Sequence, residues 1–456
     1  MSASAEYVRE NRDRHLEELK EILRIPSVST DPERAGDVRR AASWVRDRLL
    51  RAGCMRAEIV DTKRHPIVYG EWLGATGKPT ILVYGHYDVQ PADPLDLWTS
   101  PPFDPTVRDG RIYARGACDD KGQFLIHVNA FEAYLKTSGT CPVNVKFLIE
   151  GEEEIGSGNL EPFVASHRDL LACDTVVVSD TAMFDKKLPS ITNGLRGLSY
   201  VQMDVRGSDR DLHSGSFGGA VINPAFALAH IVAQLKDAKG KIKVPGFYDK
   251  VRKLTPAERK AMAKLPHTDA KFRKSIGAKE LFGEPGFTTL ERLWARPTLE
   301  INGIWGGFTG DGAKTVIPAE AHAKISMRLV PDQTPKEVFA KLERYVKKIA
   351  PKSVQVKLSH IHQGSAWLAP TDNEALQAAS RALERAFGKA PVFTREGGSI
   401  PVVATFDHEL RVPAVLMGIG LHDDNLHAPN EKLDLDNFFL GNEAAAYLME
   451  ELGGAA

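Results

Sequence analysis

Residues Val143–Ser157 read VNVKFLIEGEEEIGS. Val143, Val145, Phe147, Leu148 and Ile149 are β-branched, aromatic or otherwise apolar and follow Pro142, which predicts a strand. The strand runs out into four carboxylates, Glu150, Glu152, Glu153 and Glu154, with Gly156 beyond them. An acidic run by itself reads as a solvated loop. Acids at the end of a buried strand stand instead where open α/β sheets bind their ligands. Other strands that end the same way favour the second reading.

Two do. Thr80–Gly85 (TILVYG) is a continuous apolar run of the length expected for a central strand buried on both faces, and it ends in His86-Tyr87-Asp88. Alternation along an extended backbone puts His86 and Asp88 on one side. An imidazole with a carboxylate two residues on suits a metal ligand whose other ring nitrogen is held, although HxD alone also fits a satisfied surface histidine. Thr175–Ser179 (TVVVS) ends in Asp180. Between these, Arg115–Gly122 (RGACDDKG) precedes an amphipathic helix marked by Phe124, Leu125, Val128, Phe131 and Leu135. Asp120 reads as a helix cap, whereas Asp119, in a turn flanked by glycines, is a ligand candidate. Cys118, a lone thiol among oxygen donors, reads as packing. Glu152 carries no role legible at this level.

The N-terminal residues 6–25 predict one helix stopped by Pro26, and 38–49 a second closed by Gly53. From Gly197 the grammar changes. Alternating strands over 198–206 and 321–330, a strand at 354–358, and helices over 224–235 and 336–350 predict a separate α+β sandwich. Residues 236–300 give few signals. Beyond Asp372, the helix at 374–387, the strand at 414–419 and the closing helix at 437–452 return to α/β order.

At 456 residues the chain has room for two or three cores. Lys+Arg 59 against Asp+Glu 60 gives a net charge of −1, so no global field points to nucleic acid or an anionic membrane. Four widely spaced cysteines, Cys54, Cys118, Cys141 and Cys173, form no CxxC pair and read as reduced thiols. The opening MSASAEYVRENRDRH lacks a signal-peptide pattern and no apolar run reaches membrane-spanning length, so a cytoplasmic location is expected. Two histidines with three or four carboxylates suit zinc, manganese or cobalt rather than a closed structural zinc. An oxygen-rich set fits two metals sharing a carboxylate with a water between them, and a separate carboxylate must take that water's proton.

In this order, YGHYDVQP, RGACDDKG, EGEEEIGS, VVVSD and DDNLHAPNE closely resemble the M20 family of metallopeptidases, and within it the dipeptidase branch. The likeness covers nearly the whole chain and is weakest over 236–300. It implies a zinc-exopeptidase-like α/β catalytic domain with a mixed central sheet, made of residues 1–195 and 366–456. It also implies an inserted α+β sandwich, 196–365, that serves as lid and dimerisation domain. By the same resemblance two Zn²⁺ per subunit, with Mn²⁺ or Co²⁺ as alternatives, share Asp119. His86 and Asp180 complete one site, and Glu154 and His427 the other. Glu153 matches the general base and Asp88 the acid that orients His86. In the lid, His213 of DLHSG matches a histidine that polarises the scissile carbonyl across the dimer of dimeric relatives. Arg328 and Thr315 match substrate-binding positions, Arg328 being suited to grip a carboxylate. Gly398 and Ser399 of REGGSIP match a contact near that carboxylate. Leu426 stands where the family often has a small residue. The implied activity is hydrolysis of short peptides with a free C-terminal carboxylate by a homodimer, with no nucleic-acid or membrane partner. An N-acyl-amino-acid deacylase, desuccinylase or carboxypeptidase would keep the chemistry and change the substrate. A metal-binding protein without catalysis is opposed by the intact Glu153.

Overall fold

The computed structural model describes residues 2–398 and 400–454. Two units emerge, each with its own apolar core. The first takes the chain up to Asn193, then Ala369–Thr394, then the chain from Val402 onward; the second takes Gly194–Leu368 and Arg395–Pro401. The sequence reading kept 366–456 in one piece, whereas this division puts Arg395–Pro401 with the second unit.

The first unit is built on a mixed sheet in the order Arg56–Val60, Ile67–Trp72, Asn144–Glu150, Thr80–His86, Thr175–Val178, Ala414–Leu416, Ser190–Leu195. Its centre is parallel. Thr80–His86 pairs with Asn144–Glu150 on one side and Thr175–Val178 on the other, and Thr175–Val178 pairs with Ala414–Leu416. Strands buried on both faces cannot alternate polar with apolar, which is why Ile81–Gly85 and Val176–Val178 read as unbroken apolar runs, while Lys146 within Asn144–Glu150 donates to the Leu170 and Ala172 carbonyls. Parallel strands also end at one edge together, so His86, the Glu150–Glu154 run and Asp180 share that edge.

Local chemistry sets several boundaries. Ala35–Ala52 ends at Gly53, whose φ of +111° suits a residue without Cβ. The N-terminal stretch, expected as one helix, is two, Ala3–Glu10 and Arg12–Leu23, broken at Asn11. There the Asn11 side-chain amide donates to the Tyr7 carbonyl at 2.9 Å, competing with the helical ladder. Lys121–Ser138, expected to be amphipathic, is buried on every face as far as Tyr134. Several of its polar groups find partners inside the protein: His127 Nε2 meets Ser179 Oγ, Asn129 donates to Asn442 Oδ1, and Glu132 accepts from Arg48.

The second unit holds a four-stranded antiparallel sheet in the order Thr298–Gly306, Glu320–Leu329, Gly197–Arg206, Gln355–Gly364. Its two central strands alternate buried and less buried residues, so one face packs on helices Pro224–Ala233 and Pro335–Ile349. Val338, Leu342 and Val346 recur at helical spacing and are buried against it. Thr298–Gly306 begins at the end of 236–300, the stretch with few sequence signals, and its Gly303 sits at a bulge. The stretch between also holds the short helices Pro256–Ala263 and Thr289–Ala295, each opened by a capping box. Among the described residues no helix is long and apolar enough to cross a membrane.

Candidate metal centre

Five side chains from distant parts of the first unit converge. His86 closes its strand, Glu154 lies in the turn Glu153–Ile155 just past Glu150, and Asp180 follows Thr175–Val178. Asp119 stands in the turn before helix Lys121–Ser138, and the Asp119–Asp120 peptide is cis. His427 comes from the loop after Ala414–Leu416, with φ at +59°. Donor atoms of His86, Asp119 and Asp180 lie within 4.8 Å of one another, and so do those of Asp119, Glu154 and His427. Asp119 belongs to both groups and divides its oxygens between them. Oδ1 is 3.1 Å from His86 Nε2, and Oδ2 is 3.0 Å from His427 Nε2.

The donor chemistry fits cations. His86 Nδ1 lies 3.0 Å from the Asp88 carbonyl oxygen, which accepts only, so Nδ1 carries the proton. In the neutral ring Nε2 is then the lone-pair nitrogen, and it faces carboxylate oxygens of Asp119 and, at 3.9 Å, Asp180. Acceptor facing acceptor in a buried site requires a positive charge between them. His427 Nε2 likewise faces Asp119 and, at 3.3 Å, Glu154. With only protons to fill that place, hydrogen bonds to Asp119 and Glu154 push His427 up to about 10. Burial, then the charges of Asp180, Glu154 and Asp119, push Glu153 well above the usual carboxylate range, with His86 opposing them. Imidazole and carboxylate donors around a shared aspartate suit divalent transition metals.

A model of peptidase family M20/M25/M40 matches residues 82–451, a span containing every one of these residues. The chain belongs to that family. It is a metallopeptidase. The Cys-Gly metallodipeptidase dug1 of Schizosaccharomyces pombe is 36% identical over 468 residues, covering 99% of this chain and 98% of that protein. The structure of human carnosine dipeptidase 1 superposes with a TM-score of 0.85 at 34% identity, over 99% of this chain and 98% of that one. The M20 family metallo-carboxypeptidase Sso-CP2 from Sulfolobus solfataricus superposes with a TM-score of 0.87 at 33% identity, over 96% and 99%.

Around these five side chains the structure also shows what neighbouring groups contact. The Asp88 carboxylate accepts the backbone N–H groups of Glu153 and Glu154, at 3.2 and 3.1 Å, while its Oδ1 is 3.4 Å from His86 Nδ1. The backbone carbonyl of Asp88 is therefore the nearer partner of the ring. Glu152 accepts from Thr62 Oγ1, the His65 amide and Asn159 Nδ2, so it ties down neighbouring loops. Glu150 accepts from Tyr84 and Ser157 and is pushed up to about 7 by burial. Gln90 was missed; its Nε2 donates to Glu154 Oε2 at 2.8 Å. Cys118 is buried and its thiol is pushed up, by burial first, which agrees with packing rather than ligation. Asp120 begins the helix without a side-chain capping bond, and its carboxylate instead accepts the His86 amide at 3.2 Å.

The remaining predicted residues belong to the second unit. His213 Nδ1 accepts from the amides of Gly215 and Ser216, at 3.1 and 3.2 Å, which leaves the proton on Nε2. Thr315 Oγ1 lies 3.4 Å from that Nε2. Arg328 sits in strand Glu320–Leu329, paired with Leu198 and Thr298. Arg196 is held down to about 10, by burial first and then by the charge of Arg328, so two guanidiniums share one neighbourhood. Gly398 is exposed, and Ser399 lies outside the described residues.

Proposed function

We propose that the chain is a dinuclear-zinc dipeptidase that hydrolyses the peptide bond of short peptides with a free C-terminal carboxylate. One observation carries it: Asp119 divides its two oxygens between two histidine-carboxylate groups, with Glu153 next to a member of one of them. His86 and Asp180 would hold one ion, Glu154 and His427 the other, and Asp119 both. Bound zinc ions supply Lewis acidity, which polarises the substrate carbonyl and makes water acidic near neutral pH.

The protein's own groups supply the rest. Glu153 takes the proton of the attacking water on its carboxylate and delivers it to the leaving amine nitrogen. The His213 Nε2–H, fixed by the two amides on Nδ1, is a donor suited to the oxyanion that develops on the carbonyl. Arg328 grips the substrate carboxylate, with Thr315, Gly398 and Ser399 as further contacts, and the neighbouring positive charge of Arg196 supports a subsite for an anion. The second unit acts as lid and dimerisation domain of a homodimer across which His213 works, as the family resemblance implies. Four free cysteines support a reducing, cytoplasmic setting.

The test is a panel of dipeptides, tripeptides, and N-acetyl- and N-succinyl-amino acids with purified enzyme loaded with Zn²⁺ or Mn²⁺. Dipeptides are expected to turn over fastest. Turnover of N-acyl substrates without dipeptides overturns the reading, and stepwise trimming of longer peptides assigns a carboxypeptidase instead.

A further inference from the structure

The turn that carries Asp119 has one backbone bond of its own, from the Ala117 amide to the Ala114 carbonyl at 3.2 Å. Residues 114–119 lie between a three-residue strand, Arg111–Tyr113, and the helix that begins at Lys121. One residue more than 300 positions away binds nearly all of it. Glu431 is fully buried. Its Oε1 accepts the amides of Cys118 and Asp119, each at 3.1 Å. Its Oε2 accepts Arg115 Nη1 at 2.7 Å and the Gly116 amide at 3.0 Å. Its backbone carbonyl accepts the Ala114 amide at 3.2 Å. Gly116 has φ at +82°, and the turn around it aims several N–H groups at one point, a concavity for an anion that the Glu431 carboxylate fills.

Glu431 also joins the two segments that meet at Asp119. It lies four residues after His427 and directly before Lys432–Asp434, the strand that pairs antiparallel with Arg111–Tyr113. Its bond to the Asp119 amide therefore fixes that residue's backbone relative to the His427 loop. The Asp119 carboxylate serves both donor groups, one oxygen to each, so a shift of this turn moves a ligand of both at once. Asp88 touches one member of each group, His86 and Glu154, but Glu431 holds the one residue that both groups share. Gln90 bonds Glu154 alone among the five ligands.

We infer that Glu431 is the positioning residue for the shared aspartate, and that through Asp119 it sets the affinity of both metal sites together. The inference rests on the two-ion reading above. A simpler alternative is that the Glu431–Arg115 ion pair only contributes to folding.

The experiment titrates Co²⁺ into full-length, metal-stripped protein, followed by calorimetry and by the visible absorption of the bound ion, with circular dichroism as the check on folding. Wild type is expected to take up two equivalents; one equivalent or none fails the two-ion reading itself, whatever the variants do. Glu431→Gln can keep one oxygen on the Cys118 and Asp119 amides but turns its NH₂ toward the donors on Arg115 and Gly116. It is expected to weaken both equivalents by about 10- to 100-fold and to alter the Co²⁺ spectrum, with the fold retained. His427→Ala provides the signature of a loss at one group. Wild-type affinity in the folded Glu431→Gln protein, or weakening of a single equivalent, overturns the inference. Should Glu431→Gln fail to fold, Arg115→Lys loosens only the Oε2 side. A smaller loss at both equivalents supports the inference, and wild-type binding or a loss at one overturns it.

Discussion

Asp88 and Glu154 are joined through the backbone: Asp88 Oδ2 accepts the Glu154 amide at 3.1 Å, while Oδ1 accepts that of Glu153 at 3.2 Å. A residue two positions beyond one metal-ligand candidate thus places the backbone of another and of the proposed base. Asp88→Asn presents an NH₂ to one of these donors. It is expected to lower kcat/KM by about 10- to 100-fold while the site containing His86 keeps its metal, because the ring is held by the Asp88 carbonyl. Steady-state kinetics with metal analysis on the same sample checks both halves.

Glu153→Gln keeps the shape and removes the proton carrier. The expected result is a fall in kcat of roughly 100- to 10,000-fold with metal content unchanged. Near-normal turnover would remove Glu153 from the base role.

His213→Ala removes a donor proposed to act on the transition state and leaves other substrate contacts in place. Its effect is expected mainly in kcat, about 100- to 1,000-fold, with KM changed little. A rise in KM at constant kcat would make His213 a ground-state binding residue.

Arg48 is buried and donates to Glu18 at 3.0 Å, Asn129 at 2.9 Å and Glu132 at 2.6 Å. Breaking a buried pair from one side costs about 3–5 kcal/mol. Arg14 stays on Glu132 at 3.1 Å, so Arg48→Met is expected at the lower end of that range. Urea unfolding at fixed pH measures it.

His15 and His127 are both lowered by burial, each to about 3. Below about pH 6.5 the unfolded chain takes up protons at these positions that the folded protein refuses. Stability is therefore lost as pH falls from about 6.5 toward 3, at up to roughly 1.4 kcal/mol per pH unit for each histidine. Unfolding midpoints between pH 7 and 5 show the slope, and His127→Asn is expected to flatten it.

The four glutamates of EGEEE show how far residues alone reach. That they end a central strand is local information, written in the apolar run before them. The division of labour among them is not. Glu150 and Glu152 point to Tyr84, Ser157, Thr62, His65 and Asn159, and Glu154 joins the metal-ligand candidates. Adjacent identical side chains differ only in surroundings, and those surroundings come from other segments. The same holds for helix Lys121–Ser138, whose polar positions predict a solvent face. Arg48, Ser179 and Asn442 cover that face and bond Glu132, His127 Nε2 and Asn129.

By itself the sequence determined the central strands, the residue types at their ends and the family to which they belong. Apolar runs, turn residues and motif order are properties of neighbours along the chain. Tertiary structure decided which oxygen of Asp119 faces which group, that Asp88 holds two amides, and that Glu431 closes around the Asp119 turn. Each depends on hydrogen bonds or side-chain contacts between groups tens to hundreds of residues apart, and such short-range forces act only once the chain has brought the partners together.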